Sequence, residues 1–208
     1  MSRYTGPVCK LCRREATKLF LKGEKCYTKC VLDQRPTPPG MAKPQRGKPS
    51  EYQIRLREKQ KLRRFAQIAE KPMRALLARA SKTTGKTGET LLRSLECRLD
   101  NMVRRMGFCV SLKTARQLVG HGHIKVNGRR VDISSFGVRP GDEVQILPAV
   151  RESVAVKMGL EAATRRNNRP AFVEYNAETF TGKMVREPSR EEMSFPVNER
   201  LIVEFYSK

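Results

Sequence analysis

Tryptophan is absent from this chain, and aromatic residues make up only 6% of its 208 positions. Binding that stacks single-stranded bases on exposed rings has little to work with here. Acids are scarce as well: 21 Asp and Glu stand against 43 Lys and Arg, a formal charge of +22. Such a surplus repels itself in a compact fold, so a polyanionic partner is the natural counterweight. No apolar run approaches the ~20 residues that a membrane-spanning helix needs. The first residues, MSRYTGPVCK, lack the apolar core of a secretion signal. Histidine occurs only as His121 and His123, two positions apart in a glycine-rich turn, and the acid pair Glu191-Glu192 lies in a tail that reads as structural. No nucleophile stands beside a base, so neither an enzyme nor a small-molecule substrate is expected.

What is abundant is organised. Ser111 to Val131, SLKTARQLVGHGHIKVNGRRV, reads as a capped helix, a glycine exit, a strand, an Asn-Gly turn and a second strand. Ser111 suits the helix cap, with Leu112, Ala115, Leu118 and Val119 on one face. Gly120 or Gly122 ends the helix, and Asn127-Gly128 matches a two-residue hairpin with φ > 0 at both positions. The stretch has no carboxylate, while Lys113, Arg116, Gln117, His121, His123, Lys125, Arg129 and Arg130 offer donors to phosphate. With few rings for stacking, folded or double-helical nucleic acid is the expected ligand.

Four of the six cysteines form two short-spaced pairs, Cys9/Cys12 and Cys26/Cys30. Two such pairs can close a tetrahedral shell around one Zn²⁺, and an iron–sulfur cluster accepts the same four thiolates. Four cysteines leave no open coordination position, so the expected role of the ion is structural. Disulfides sit badly with a basic chain lacking an export signal. Nine Lys/Arg and three acids between residues 1 and 35 surround these thiols with surplus positive charge. Cys97 and Cys109 stand apart and read as packing residues.

Residues 33–50 carry five prolines and two glycines, a linker or extended arm whose Lys43, Arg46 and Lys48 suit a phosphate backbone. Ser50-x-x-Gln53 is a capping box that opens a helix over about 51–69. Beside its apolar stripe of Leu62, Phe65, Ala66 and Ala69 stand Arg55, Arg57, Lys59, Lys61, Arg63 and Arg64, a basic face directed at RNA. Pro72 suits the first turn of a second helix. Gly85-Lys86-Thr87 ends like a phosphate-binding loop, but Ala80 stands where the leading glycine is required and a helix precedes it; Thr87 is instead expected to cap a helix over about 88–106. Short strands follow Val131, residues 151–166 read as helix, and Leu201-Ile202-Val203 should pack on the helical region.

Arg98-Leu99-Asp100, Ser111, Ala115-Arg116, His121-Gly122-His123 and Val126-Asn127-Gly128-Arg129 together resemble the small-subunit ribosomal protein four family, in its metal-binding four-cysteine subset. The likeness continues through GKPSEYQ (47–53), REKQK (57–61), Pro140-Gly141-Asp142 and LIVEFYSK (201–208), and so covers nearly the whole chain. The resemblance implies an α+β protein in three parts. These are a four-cysteine metal module with a Pro-rich arm (1–45), an all-helical domain (46–97 with 180–208), and an inserted RNA-binding domain (98–179) with a small, mostly antiparallel sheet. It further implies a structural, non-catalytic constituent of the small ribosomal subunit that binds a multi-helix junction in the 5′ domain of its ribosomal RNA early in assembly. Its expected neighbours are small-subunit ribosomal proteins three and five, beside the channel where messenger RNA enters, with an influence on decoding accuracy and repression of its own operon in some members. The implied location is the cytoplasmic ribosome, an organellar one being the alternative. Two rivals stay open at this point: an RNA-modifying or RNA-charging enzyme, and a zinc-ribbon transcription factor preferring duplex DNA.

Overall fold

The computed structural model describes residues 4–41 and 48–207. The chain divides into two compact units, one running to Leu92 and resuming at Ser194, the other spanning Arg93–Met193.

The first unit opens with α1 (Cys9–Glu15), α2 (Lys25–Thr28) and α3 (Val31–Gln34), gathered over buried Val8, Cys12, Leu19, Leu21 and Cys26. Then come α4 (Glu51–Phe65) and α5 (Glu70–Ala80). Ser50 caps the helix as expected: Gln53 N–H donates to Ser50 Oγ at 3.2 Å. α4 stops short of residue 69 because Gln67 turns left-handed, with its N–H on Arg64 O and the Ile68 N–H on Arg63 O. That closure satisfies carbonyls which an abrupt helix end leaves bare. The tail helix α11 (Glu199–Tyr206) packs along α4, capped where Asn198 Oδ1 accepts the Arg200 N–H at 3.1 Å. Phe65 meets Phe195 edge-on at 5.2 Å, and Leu62 and Ile202 are wholly buried.

The expected helix over 88–106 is two helices, α6 (Thr87–Glu96) and α7 (Leu99–Arg105). The apolar stripe runs through both, but the backbone between them pairs sideways. Val138 N–H donates to Cys97 O at 2.8 Å, Leu99 N–H to Phe136 O at 2.8 Å, and Arg98 bridges Gly137. Thr87 is the first residue of α6 rather than its cap, since Thr90 N–H donates to Lys86 O. The unit boundary falls within α6.

In the second unit α7 packs against α8 (Leu112–Gly120), and both lie over an antiparallel sheet. Its strands are β1 (Ile124–Val126), β2 (Arg129–Arg130), β3 (Glu143–Ile146), β4 (Val173–Asn176) and β5 (Thr181–Met184), in the order β2-β1-β3-β5-β4. Because β5 lies between β3 and β4, residues 181–184 belong to the sheet and not with the tail helix. Alternation does the rest: Ile124, Val126, Val144, Ile146, Val173 and Met184 face the core made by Leu99, Met102, Val103, Met106, Phe108 and Val119. The helix read over 151–166 is α10 (Val154–Arg166), preceded by the single turn α9 (Pro148–Arg151).

Candidate nucleic-acid interface

The α8–β1–β2 unit is built as its sequence dictates. Ser111 Oγ accepts the Thr114 N–H at 3.2 Å, and Leu112, Ala115, Leu118 and Val119 are buried. At the far end Gly122, with φ +68°, lets its N–H reach Val119 O at 2.7 Å and that of His123 reach Leu118 O at 3.0 Å. Asn127 (φ +49°) and Gly128 (φ +77°) make the hairpin turn, which sets Val126 opposite Arg129 and Lys125 opposite Arg130. Asn127 also ties the turn to the next strand. Its Nδ2 donates to Asp142 Oδ1 at 2.8 Å, and its Oδ1 accepts the Glu143 N–H at 2.9 Å.

With the apolar side committed to the core, the donors face out. Lys113, Gln117, His121, Arg129 and Arg130 are exposed; Arg116, His123 and Lys125 are half-buried. Arg130 lies across Gly122 and donates to His121 O at 2.9 Å, while the rings of His121 and His123 stand edge-to-face at 5.9 Å. A Cβ on Gly122 would fall 2.1 Å from Arg130 Nε, so the absence of a side chain there makes room for the guanidinium. Arg116 donates through Nε to Asp100 Oδ2 at 2.7 Å. In the sequence Arg98 and Asp100 stand out only as part of the Arg98-Leu99-Asp100 motif that carries the family resemblance, with no place in a basic surface assigned to either. The physical signal beside it is that the two charges flank a core leucine shortly before α8.

The basic face of α4 proves to be committed inside the first unit. Lys59, whose side chain is 6% exposed, pairs with Glu70 at 3.1 Å and sits 4.7 Å from the centre of the Phe205 ring. Arg63 reaches the same Glu70 oxygen at 3.4 Å. Arg57 and Arg64 both pair with buried Glu15, Arg55 with Glu51 and Glu204, and Lys61 with Glu58. Sequence pattern marked these residues as one charged face but carried no sign of partners more than a hundred positions away. Lys48 is exposed; Lys43 and Arg46 fall outside the described residues.

Cys9 and Cys12 stand on α1, Cys26 on α2 and Cys30 just ahead of α3, all as free thiols. Burial pushes the Cys12 and Cys26 thiols up, offset in part by backbone N–H donors; that of Lys22 lies 3.3 Å from Cys26 Sγ. Among the described residues no group of three or more His, Cys, Asp or Glu is placed to hold a metal ion. The expected four-cysteine metal module is therefore not displayed as a site. Cys9 and Cys30 lie near enough to Cys12 and Cys26 to add to the cost of charging those two thiols, without the four being gathered round one point.

A helix laid over a small antiparallel sheet, offering a basic hairpin that carries no carboxylate of its own, is the form of an RNA-binding domain. Residues 3–96 match the ribosomal protein S4/S9 N-terminal domain family, and residues 97–144 match the S4 domain family. Over the full length of both chains, the protein is 52% identical to small ribosomal subunit protein uS4 of Thermus thermophilus. It is 51% identical to uS4 of Thermodesulfovibrio yellowstonii and 52% identical to uS4A of Symbiobacterium thermophilum, again over the whole of each. The chain belongs to the ribosomal protein uS4 family.

Proposed function

We propose that this protein is a structural constituent of the small ribosomal subunit, bound to its ribosomal RNA in the cytoplasmic ribosome, and not an enzyme. The observation that carries this reading is the carboxylate-free α8–β1–β2 surface, in a chain that aligns end to end with uS4 proteins. Lys113, His121, His123, Lys125, Arg129 and Arg130 meet phosphates directly. Arg116 does so from its place on Asp100. Lys43, Arg46 and Lys48 follow the backbone of a neighbouring helix. Of the α4 cations, the half-buried Arg55, Arg57, Lys61, Arg63 and Arg64 strengthen the positive field and touch RNA at their rims, while Lys59 belongs to the fold. A-form helices hide most base edges in a deep, narrow groove, so selectivity comes from junction shape met by separately oriented basic elements. The target is a multi-helix junction of the 5′ domain, bound early in assembly. Small-subunit proteins three and five and incoming messenger RNA are the neighbours, with effects on decoding accuracy and on translation of its own operon.

The donor set of the first forty residues suits a structural metal, since four reduced thiols in two short-spaced pairs are what a closed zinc shell requires. Cys9, Cys12, Cys26 and Cys30 would hold one Zn²⁺, with an iron–sulfur cluster as the alternative. Bound there, the ion would cross-link α1 to the segment carrying α2 and α3.

Competition tests the RNA reading. Binding to a 5′-domain fragment of small-subunit ribosomal RNA should survive a large excess of random duplex DNA and weaken steeply with added salt as counterions are released. Equal affinity for the two would place the protein among general polyanion binders.

A further inference from the structure

A buried carboxylate inside a strongly cationic RNA-binding surface calls for an explanation. Asp100 is the second residue of α7, and its side chain is 1% exposed. Arg98 grips it with both ends of the fork, Nε to Oδ1 at 3.1 Å and Nη2 to Oδ2 at 2.9 Å. Arg116, one turn into α8, adds Nε to Oδ2 at 2.7 Å. The backbone beneath is pinned too, with Asp100 N–H on Ser134 O at 3.2 Å. Two guanidinium groups thus share one carboxylate, and the cluster keeps a unit of positive charge. Burial differs along it: the side chain of Arg98 is 10% exposed, that of Arg116 22%. Arg98 is enclosed in the structure, whereas Arg116 emerges on the helix that also carries Lys113 and Gln117.

We propose that Asp100 is a positioning residue of the RNA interface, acting through Arg116. The inference rests on the reading that α8–β1–β2 meets RNA. Arginine side chains lose much rotational freedom when they dock on a phosphate, and one already fixed by a buried partner loses less on binding. Asp100 supplies that anchorage on its inner side, held in place by Arg98, which occupies Oδ1 and shares Oδ2 with Arg116.

Charge alone predicts the opposite of positioning, and this makes the idea testable. Deleting one negative charge beside a polyanion should tighten every RNA equally. Loss of positioning should weaken only the RNA whose shape the surface matches. The experiment measures the affinity of the full chain for a 5′-domain ribosomal RNA fragment and for a random RNA duplex of equal length. Asp100→Asn should bind the ribosomal fragment roughly tenfold more weakly, the effect of losing one charge-assisted contact, and the random duplex no less well than before. In a double-mutant cycle, Asp100→Asn should cost nothing further once Arg116→Ala is present. Unchanged or tighter binding of the ribosomal fragment, or fully additive losses, overturns the proposal.

Circular dichroism checks that Asp100→Asn is folded. If it is not, Arg116→Lys, which keeps the charge but not the planar fork, serves instead: it should lose affinity for the ribosomal fragment only, and undiminished binding refutes the role. Lys113→Ala and Arg130→Ala separate this failure from failure of the interface itself. If both leave affinity unchanged, RNA binds elsewhere and the two readings fall together. If both weaken it while Asp100→Asn does not, only the role of Asp100 falls.

Discussion

Lys59 and Glu70 form a 3.1 Å ion pair between α4 and α5, and the lysine is enclosed by the rings of Phe205 and Tyr206. Tyr206 completes the junction by donating its hydroxyl to the other Glu70 oxygen at 2.7 Å. Three helices therefore meet on one carboxylate. Lys59→Ala leaves that Glu70 oxygen to the longer contact from Arg63 at 3.4 Å and the space between the two rings empty, and should destabilise the first unit by about 1–3 kcal/mol in urea unfolding. Its affinity for ribosomal RNA, measured under conditions where the variant stays folded, should hold within about twofold of the parent, the scale of a surface effect.

Two carboxyls make the fold sensitive to acid. Burial works against the charge on Glu70, yet hydrogen bonds from Tyr206 and Lys59 outweigh it and hold the group below its ordinary range. Glu192, bound by the Arg186 guanidinium and the Ser189 N–H, is held at about 2. A carboxyl depressed in the folded state adds stability above its unfolded pKa, and that stability is lost as pH falls through the folded value. Both contributions should thus be intact at neutral pH and fade below about pH 4.5, the ordinary carboxylate range. Glu70→Gln and Glu192→Gln should each flatten the fall in stability between pH 5 and pH 2. An unaltered slope would show that neither pairing matters to folding.

Gly122 and Gly128 both have positive φ, but only Gly122 has a neighbour in the way. Alanine at Gly128 meets open space and should cost about 1 kcal/mol, the backbone strain alone. Alanine at Gly122 bears the same strain and also displaces Arg130 from its seat on His121 O. It should lower RNA affinity several-fold, whereas Gly128→Ala should lower stability with little change in binding. Equal effects of the two on affinity would remove Arg130 from the interface.

Purified protein should carry about one equivalent of zinc by elemental analysis, and a strong chelator should abolish order in the first forty residues by amide exchange. The second unit, with its own core, should keep its exchange protection. Broad visible absorbance in place of zinc would identify an iron–sulfur cluster. Metal-free protein with a fully ordered module would dispose of both.

What was legible in the sequence follows a physical divide. Ser111, Ser50, Gly122 and Asn127-Gly128 act within a few residues of themselves, through caps and left-handed turns, and the structure has each where local rules put it. The break at Cys97-Arg98 was hidden, because the apolar stripe is continuous and the competing hydrogen bonds come from residues 134–138. So was the fate of the α4 cations. Arg55 meets Glu204 and Lys59 meets Phe205 only once the tail helix has returned. Asp100 lay in plain view beside Arg98, but a carboxylate reads as a solvated charge until its burial is known.

The central claim is that ribosomal RNA is gripped by the outward donors of α8–β1–β2, while the most enclosed cation of α4 serves the fold. Lysine-reactivity footprinting with and without a 5′-domain ribosomal RNA fragment tests it most directly. Lys113 and Lys125 should be reactive in the free protein and protected in the complex, with Lys59 unreactive in both. Lys113 and Lys125 retaining full reactivity when RNA is bound would contradict it.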